Sequence, residues 1–155
     1  FREVDFDLIP EGLLERCSIN LETNSVETER LSERCCEFAM VNPHKEGEKA
    51  RYGWMAIAER EQGNAPLQAI KKLDMFDGSK HIWSAGPKGF VSEPIMVPRP
   101  NSAIEDDGWV LCIVWNGARC ASDLVILNAA DLSEEAIVEL PLAIPYGLHG
   151  SWVDA

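Results

Sequence analysis

His149 is the residue of this sequence that is best placed to do chemistry. It lies in the stretch IPYGLHGSW, residues 144–152, between Gly147 and Gly150. The two glycines leave open space on both sides of the imidazole, which suits a metal ligand, a catalytic base or a tight turn. A lone histidine beside glycines is usually a turn or core residue, so the surrounding elements must decide among these three readings.

Those elements are predicted to be strands, which makes the fold class all-β. Short alternating or β-branched runs recur between turn signals, as in GWVLCIVWN and DLVILNAA, whereas patterns of helical period are scarce. Three segments of the form strand, polar turn, strand can be superimposed. The polar residue that closes the first strand is Asn20, Asp74 or Asn128, and these lie 54 residues apart. Four antiparallel strands fit in each repeat, which is typical of a β-propeller blade.

The repeat predicts a partial β-propeller without an internal domain boundary, so residues 1–155 belong to one domain. It begins with the outer half of a blade, LLERCSINLETNSVETERL, and continues through about two full four-stranded blades. The last strand, HGSWV, is expected to be the closing strand that opens a further blade. Trp54, Trp83 and Trp109 fall at strand positions, where packing between blades is the default.

A step of nearly the same length connects His149 to two glutamates. Counting back in steps of 56 residues, His149 shares a structural position with Glu93 and Glu37, and all three are expected to open the innermost strand of a blade. Innermost strands surround the propeller axis, so these side chains are predicted to point toward a common centre. An imidazole that binds a metal normally donates its other N–H to an acceptor, often a carboxylate. Glu37 and Glu93 could be such acceptors for different histidines, although a single glutamate at a strand end usually faces water.

Other candidate residues carry no predicted site. His44 and His81 lie out of phase with the repeat and are expected to be exposed. Cys35 and Cys36 are adjacent, so on a strand they point to opposite faces and are expected to be packing or surface thiols. The acidic EDDG at 105–108 lacks the alternating oxygen ligands of a calcium loop and is expected to form a hairpin.

The composition excludes several classes of function. Fourteen basic and twenty-six acidic residues give a net charge of −12, so a nucleic acid backbone would be repelled. The longest uncharged apolar run, WVLCIVW at 109–115, is too short to cross a bilayer, and no transmembrane segment is expected. Five cysteines, an odd number without framework spacing, favour a reduced compartment, either plastid or cytoplasm.

Five ordered motifs together resemble a known family. EFAMVNP with ARYGW, then WSAGPKGFVSEPIMVPRP, EDDGWVLCIVW, LVILNAADL and IPYGLHGSW resemble the C-terminal third of the carotenoid cleavage oxygenases, over nearly the whole chain. The resemblance implies a seven-bladed propeller that holds a non-haem Fe(II) by four histidines, with three glutamates that support these ligands. By this resemblance His149 is the last iron ligand, and Glu37 and Glu93 are two of the supporting glutamates. The sequence departs from the family pattern at three positions that would alter the lining near the metal: Ala39, Met40 and Leu148.

The resemblance also implies an activity. It is the cleavage by dioxygen of a conjugated double bond in a carotenoid or apocarotenoid, which gives two carbonyl products. Two alternatives remain: an isomerase or stilbene-type alkene cleaver of the same family, or a non-catalytic propeller segment that acts as a binding module. Because only His149 is in phase with the repeat, the other three ligands are expected upstream of Phe1, as is any peripheral membrane contact. The 155 residues alone are therefore expected to bind iron weakly and to lack oxygenase activity.

Overall fold

The computed structural model describes residues 5, 8–64 and 66–153, which form an antiparallel β structure. The strands coincide with the β-branched and aromatic runs of the sequence, because such side chains pack well on a pleated surface. One turn of 3-10 helix, Pro43–Lys45, follows the third strand. Within the described residues the chain forms eleven strands: β1 (Leu14–Asn20), β2 (Ser25–Ser32), β3 (Cys36–Met40), β4 (Tyr52–Ala58), β5 (Leu67–Asp74), β6 (Lys80–Ser84), β7 (Gly89–Val91), β8 (Ile95–Pro98), β9 (Gly108–Asn116), β10 (Ala121–Asn128) and β11 (Glu134–Glu139).

These strands form one half-blade and two whole blades of a propeller. Strands β1 and β2 pair only with each other and constitute half-blade A. Strands β3, β4, β5 and β6 pair in sequential order as blade B. In blade C, β7 and β8 both pair with β9, followed by β10 and β11, so β7 and β8 are two parts of one interrupted inner strand. The predicted all-β propeller segment is thereby confirmed.

The 54-residue repeat is confirmed by the chemistry of three matching turns. Asn20, Asp74 and Asn128 are the last residues of β1, β5 and β10, and each leads into the hairpin that forms the outer edge of a blade. The Oδ1 atom of each side chain accepts the backbone N–H two residues further on, at 2.9 Å in all three cases. Asparagine and aspartate are suited to this position because their short side chains reproduce a backbone turn.

The main core lies between blades B and C. Trp54 of β4 is completely buried, and its indole N–H donates to the carbonyl oxygen of Ala129 at 3.0 Å. Each fully buried apolar side chain of this size contributes roughly 1.5–3 kcal/mol to folding. The other fully or nearly buried members of this core come from both blades: Ala56, Ile70, Val91, Met96, Val110, Cys112, Val114, Val125, Leu127, Ala129 and Leu132.

The three tryptophans expected between blades do not behave alike. Trp54 and Trp83 join blade B to blade C, since the indole N–H of Trp83 donates to Oε1 of Glu134 at 2.7 Å. Trp109 instead lies on the opposite face of blade C, because it alternates with the buried Val110 along β9. There it is half-buried under the guanidinium of Arg99, 4.3 Å from the ring centroid.

Residues 105–107 of the acidic segment lie in the connection between β8 and β9, and Gly108 begins β9, as the hairpin prediction requires. Its carboxylates connect blade C to blade B through hydrogen bonds and an ion pair. Glu105 Oε1 accepts the backbone N–H of Arg51 at 2.7 Å, and Asp106 Oδ2 pairs with the buried Nζ of Lys72 at 2.5 Å. These oxygens are therefore engaged in contacts between blades.

The predictions for the other two histidines and for the adjacent cysteines are confirmed. His44 and His81 are exposed, and Cys35 and Cys36 are buried in two separate apolar clusters. The closing strand expected at HGSWV is not formed, since the described residues 149–153 have irregular backbone. In the part of the chain that the structure describes, no helix has the length and apolarity needed to cross a membrane.

Candidate functional site

Both candidate glutamates lie where the innermost strand of a blade is irregular. Glu93 falls between β7 and β8 and precedes the buried Pro94, which has no N–H to give to a ladder. Glu37 is the second residue of β3, next to Phe38, and the register of β3 on β4 shifts between Glu37 and Met40. Glu37 thus lies near the start of its inner strand, whereas Glu93 lies at the interruption within its inner strand and does not open it. Such irregularities re-aim side chains that a regular strand would point along the sheet normal.

Glu93 holds His149 through both carboxylate oxygens. The Nδ1 atom of His149 is 3.0 Å from Glu93 Oε1, and the backbone N–H of Gly150 donates to Glu93 Oε2 at 2.6 Å. The Glu93 side chain is 19% exposed and the His149 side chain 76%. When Nδ1 donates to the carboxylate, Nε2 is the ring nitrogen that keeps its lone pair for a metal.

Phe38 of blade B contacts the same imidazole from another direction. Its ring centroid is 5.8 Å from that of His149, and the ring planes are 89° apart, which is an edge-to-face arrangement. Phe38 has a φ of 57°, a left-handed conformation that is rare for an aromatic residue. Backbone strain of this kind persists only where surrounding contacts fix it, and it clusters at functional sites. Blades B and C therefore orient His149 together.

Glu37 does not join this arrangement. It is exposed, and within the described part of the chain it makes no hydrogen bond or ion pair. Its carboxylate lies against Gly12, where an added Cβ would be 2.9 Å from Glu37 Oε1 and 2.9 Å from the carbonyl oxygen of Cys36. Across residues 5, 8–64 and 66–153, no group of three or more His, Cys, Asp or Glu side chains could hold a metal ion. The structure thus pairs His149 with Glu93 and leaves Glu37 apart.

A cavity of about 280 Å³ adjoins His149 and Glu93. Cys112 is one of its lining residues, and burial raises the pKa of this thiol to about 12. The sulfur is therefore protonated at neutral pH, and it lies 3.4 Å from the carbonyl oxygen of Ser92. A neutral thiol is a poor metal ligand, so Cys112 adds apolar lining instead. Half of the remaining lining residues are aliphatic: Ile95, Leu111, Ile113, Leu124, Ile144 and Leu148.

Sequence reasoning missed two contributors to the site. Phe38 follows a candidate glutamate, but the sequence gives no sign of its left-handed backbone, because that region normally favours glycine or asparagine. The motif GLHG also gives no sign that the backbone N–H of Gly150 donates to the Glu93 carboxylate. A backbone donor carries no signal in residue type, and only the fold shows it.

Comparison with known proteins places this arrangement in a defined class, propeller enzymes of the carotenoid oxygenase type. The family model described as retinal pigment epithelial membrane protein matches residues 2–154. The chain is 46% identical over 154 residues to apocarotenoid-15,15'-oxygenase of Synechocystis sp., which covers 98% of this chain and 31% of that protein. It is 31% identical over 156 residues to lignostilbene-alpha,beta-dioxygenase isozyme III of Sphingomonas paucimobilis, with 92% and 32% covered.

Solved structures give the same result. The crystal structure of cobalt-substituted Synechocystis ACO, an apocarotenoid oxygenase, superimposes with a TM-score of 0.97 at 43% identity, over 100% of this chain and 33% of that one. The chain therefore belongs to the retinal pigment epithelial membrane protein family of carotenoid oxygenases. It spans about a third of the length of the relatives that it matches.

Proposed function

We propose that this chain is part of an oxygenase that uses dioxygen to cleave a conjugated double bond of a carotenoid or apocarotenoid, giving two carbonyl products. The observation that carries the proposal is the 3.0 Å contact between His149 Nδ1 and Glu93 Oε1 at the inner edge of a propeller blade. It occurs in a chain that is 46% identical to a protein named apocarotenoid-15,15'-oxygenase.

His149 would be one ligand of a non-haem Fe(II), through Nε2. The donor chemistry fits, because a neutral imidazole suits iron and a carboxylate behind it fixes the required tautomer. One relative has been crystallised in a cobalt-substituted form, which supports a metal centre in this family. The other histidine ligands would come from a part of the protein outside this chain, and Glu37 would support one of them. When bound, the iron would supply the activation of dioxygen.

The protein's own residues would orient and shield this centre. Glu93 would keep the proton on Nδ1 and raise the basicity of Nε2, while Phe38 would limit rotation of the ring. The aliphatic walls of the cavity beside His149 would exclude water from the polyene and the metal. Leu148 lines this cavity, and Met40 lines a neighbouring cavity of about 590 Å³, so these two departures from the family pattern would affect substrate choice.

The test is an assay of the complete protein, purified anaerobically with Fe(II), on apocarotenals, carotenoids and stilbenes. The expected result is a pair of carbonyl products from a carotenoid or apocarotenoid, with incorporation of oxygen from ¹⁸O₂. A matched preparation of His149→Ala should give no products. Products that form equally well in His149→Ala would overturn the proposed role of this residue, and a protein without any metal would favour a non-catalytic binding module.

A stilbene is the second candidate substrate. The observation in its favour is the 31% identity to a lignostilbene dioxygenase over 92% of this chain. Turnover of a stilbene but of no carotenoid or apocarotenoid would establish this alternative. The five cysteines are free in the structure, which supports a reduced compartment in either case.

A further inference from the structure

Two adjacent lysines of β5 are both buried, but only one of them is paired with a carboxylate of the described residues. Lys72 is 5% exposed and pairs with Asp106 Oδ2 at 2.5 Å. Lys71 is 3% exposed, yet within the described residues its Nζ contacts only the hydroxyl oxygen of Ser32, at 2.5 Å, and no carboxylate. A buried ammonium without a counter-charge is unfavourable, because burial removes its hydration and nothing replaces it. The surroundings of Lys71 therefore need an explanation that those of Lys72 do not.

Lys71 lines a hollow of about 310 Å³ together with two further cations, Arg34 and Lys80. Arg34 is fixed there, because its Nε donates to the carbonyl oxygen of Ala58 at 2.6 Å and its Nη2 to that of Glu59. Lys80, the first residue of β6, is exposed and makes no ion pair with another described residue. Three positive side chains thus converge on one open space.

The groups around Lys71 offer it little negative charge. Burial lowers the pKa of Lys71, and the positive charges of Lys80 and Arg34 lower it further. Cys36 is the neighbour that acts in the opposite direction, but burial raises the pKa of its thiol, which is therefore uncharged at neutral pH. Lys71 therefore faces the hollow beside two further cations and an uncharged thiol.

Two carboxylates also line the hollow, and neither neutralises Lys71. Glu33 is 81% exposed at its side chain and pairs with Arg30 at 3.4 Å. Glu61 is exposed in the connection between β4 and β5 and forms no ion pair with Lys71. Both acids stand at the solvent side, where water screens them.

We propose that this hollow binds a small oxyanion of the phosphate type, held by the ammonium groups of Lys71 and Lys80 and by the guanidinium of Arg34. The hydroxyl of Ser32 can donate a further hydrogen bond to such an anion. The anion supplies the counter-charge that Lys71 lacks, and charge-assisted hydrogen bonds of this kind are the stronger ones. The hollow lies beside the outer strands β2, β5 and β6, whereas His149 lies at the inner edge of the propeller.

The test is calorimetric titration of the complete protein with inorganic phosphate at constant ionic strength. Lys71→Met is expected to weaken phosphate binding by at least about tenfold, the effect of one interaction worth about 1.4 kcal/mol. In chloride buffer the same variant should be as stable as the parent protein or more stable, because an apolar side chain replaces an uncompensated charge. Phosphate also stabilises proteins by exclusion from their surface, but this acts equally on parent and variant.

Two exposed lysines provide a matched control that does not disturb the core. Lys80→Met should weaken phosphate binding, whereas Lys88→Met, outside the hollow, should leave it unchanged. This pair decides the question if Lys71→Met does not fold. Absence of phosphate binding in the parent protein, or equal binding in the parent, Lys71→Met and Lys80→Met, would overturn the proposal. Neither readout involves iron or substrate, so the outcome is independent of the proposed oxygenase activity.

Discussion

Glu37 and Glu93 occupy matching positions one repeat apart, but their surroundings differ. Glu93 uses one carboxylate oxygen for His149 and the other for the N–H of Gly150, and its side chain is 19% exposed. Glu37 is exposed and contacts no histidine within the described part of the chain. Its carboxylate faces the backbone at Gly12 instead.

The difference between the two glutamates separates the position of the carboxylate, which the repeat determines, from its contact with a histidine, which the repeat does not determine. The blade pattern places a carboxylate at an irregular point of the inner strand in both cases. Among the described residues, the Glu93 carboxylate has a histidine partner and the Glu37 carboxylate has none. Under the proposed function, Glu37 is a carboxylate that matches Glu93, but its histidine partner lies outside this chain. Four substitutions test this comparison.

The largest effect is expected from His149→Ala in the complete protein. Under the proposed function, loss of this ligand should remove most of the bound iron, because a residue that only supports a metal ligand cannot replace it. Iron content is measured by elemental analysis, with His81→Ala as the control that should keep its iron. Full iron content in His149→Ala would show that this imidazole is not a ligand.

Glu93→Gln should weaken metal binding while leaving the ligand in place. The amide keeps the shape of the carboxylate but loses its charge, and changes behind a metal ligand typically lower affinity by about 10–100-fold. The Gly150 N–H can still donate to the amide oxygen, so the loop should keep its position. Competition with a chelator measures the affinity. An unchanged affinity would mean that the contact with His149 is structural only.

Glu37→Gln tests whether Glu37 supports a metal ligand as Glu93 does. If Glu37 supports a histidine outside this chain, the metal affinity of the complete protein should fall by about tenfold, the lower end of the range for such supports. Because Glu37 does not contact His149, the two substitutions should combine additively in Glu37→Gln with Glu93→Gln. A variant Glu37→Gln that binds iron as tightly as the parent would assign this glutamate to the solvent-exposed surface.

Gly12→Ala should have the smallest effect. Its Cβ would lie 2.9 Å from Glu37 Oε1 and 2.9 Å from the Cys36 carbonyl oxygen, so the backbone or the carboxylate must shift. The expected loss is about 1–3 kcal/mol of unfolding free energy, as for other overpacking changes. The loss should be observed in chemical denaturation. Gly147→Ala is the control, because no atom lies within 4 Å of the added Cβ and stability should not fall.

Much of the fold could be predicted because its signals are carried by residue type. Asn20, Asp74 and Asn128 are visible in the sequence as turn formers, and their constant spacing defined the blades. The same phase brought His149 and Glu93 together, although they are separated by 56 residues. Periodicity is informative here because each blade repeats one structural unit.

The remainder could not be predicted because it depends on conformation or on neighbours. The left-handed backbone of Phe38 has no signature in an aromatic residue, and the alternation that turned Trp109 away from blade B requires the strand register. The strand expected at HGSWV is absent, because residues 149–153 have irregular backbone in the structure. Lys71 and Lys72 look identical in sequence, and only packing shows that one is paired and the other is not.

The buried indole of Trp54 has a consequence for observing this molecule in solution. Its N–H reaches across to Ala129 in the adjacent blade, and its ring has no exposed surface. An indole in such surroundings fluoresces at short wavelength, and its emission shifts to longer wavelength when water reaches it. Trp54 is therefore an intrinsic optical reporter of the junction between blades B and C. Because the chain has four other tryptophans, this signal is read from a variant in which Trp54 is the sole tryptophan.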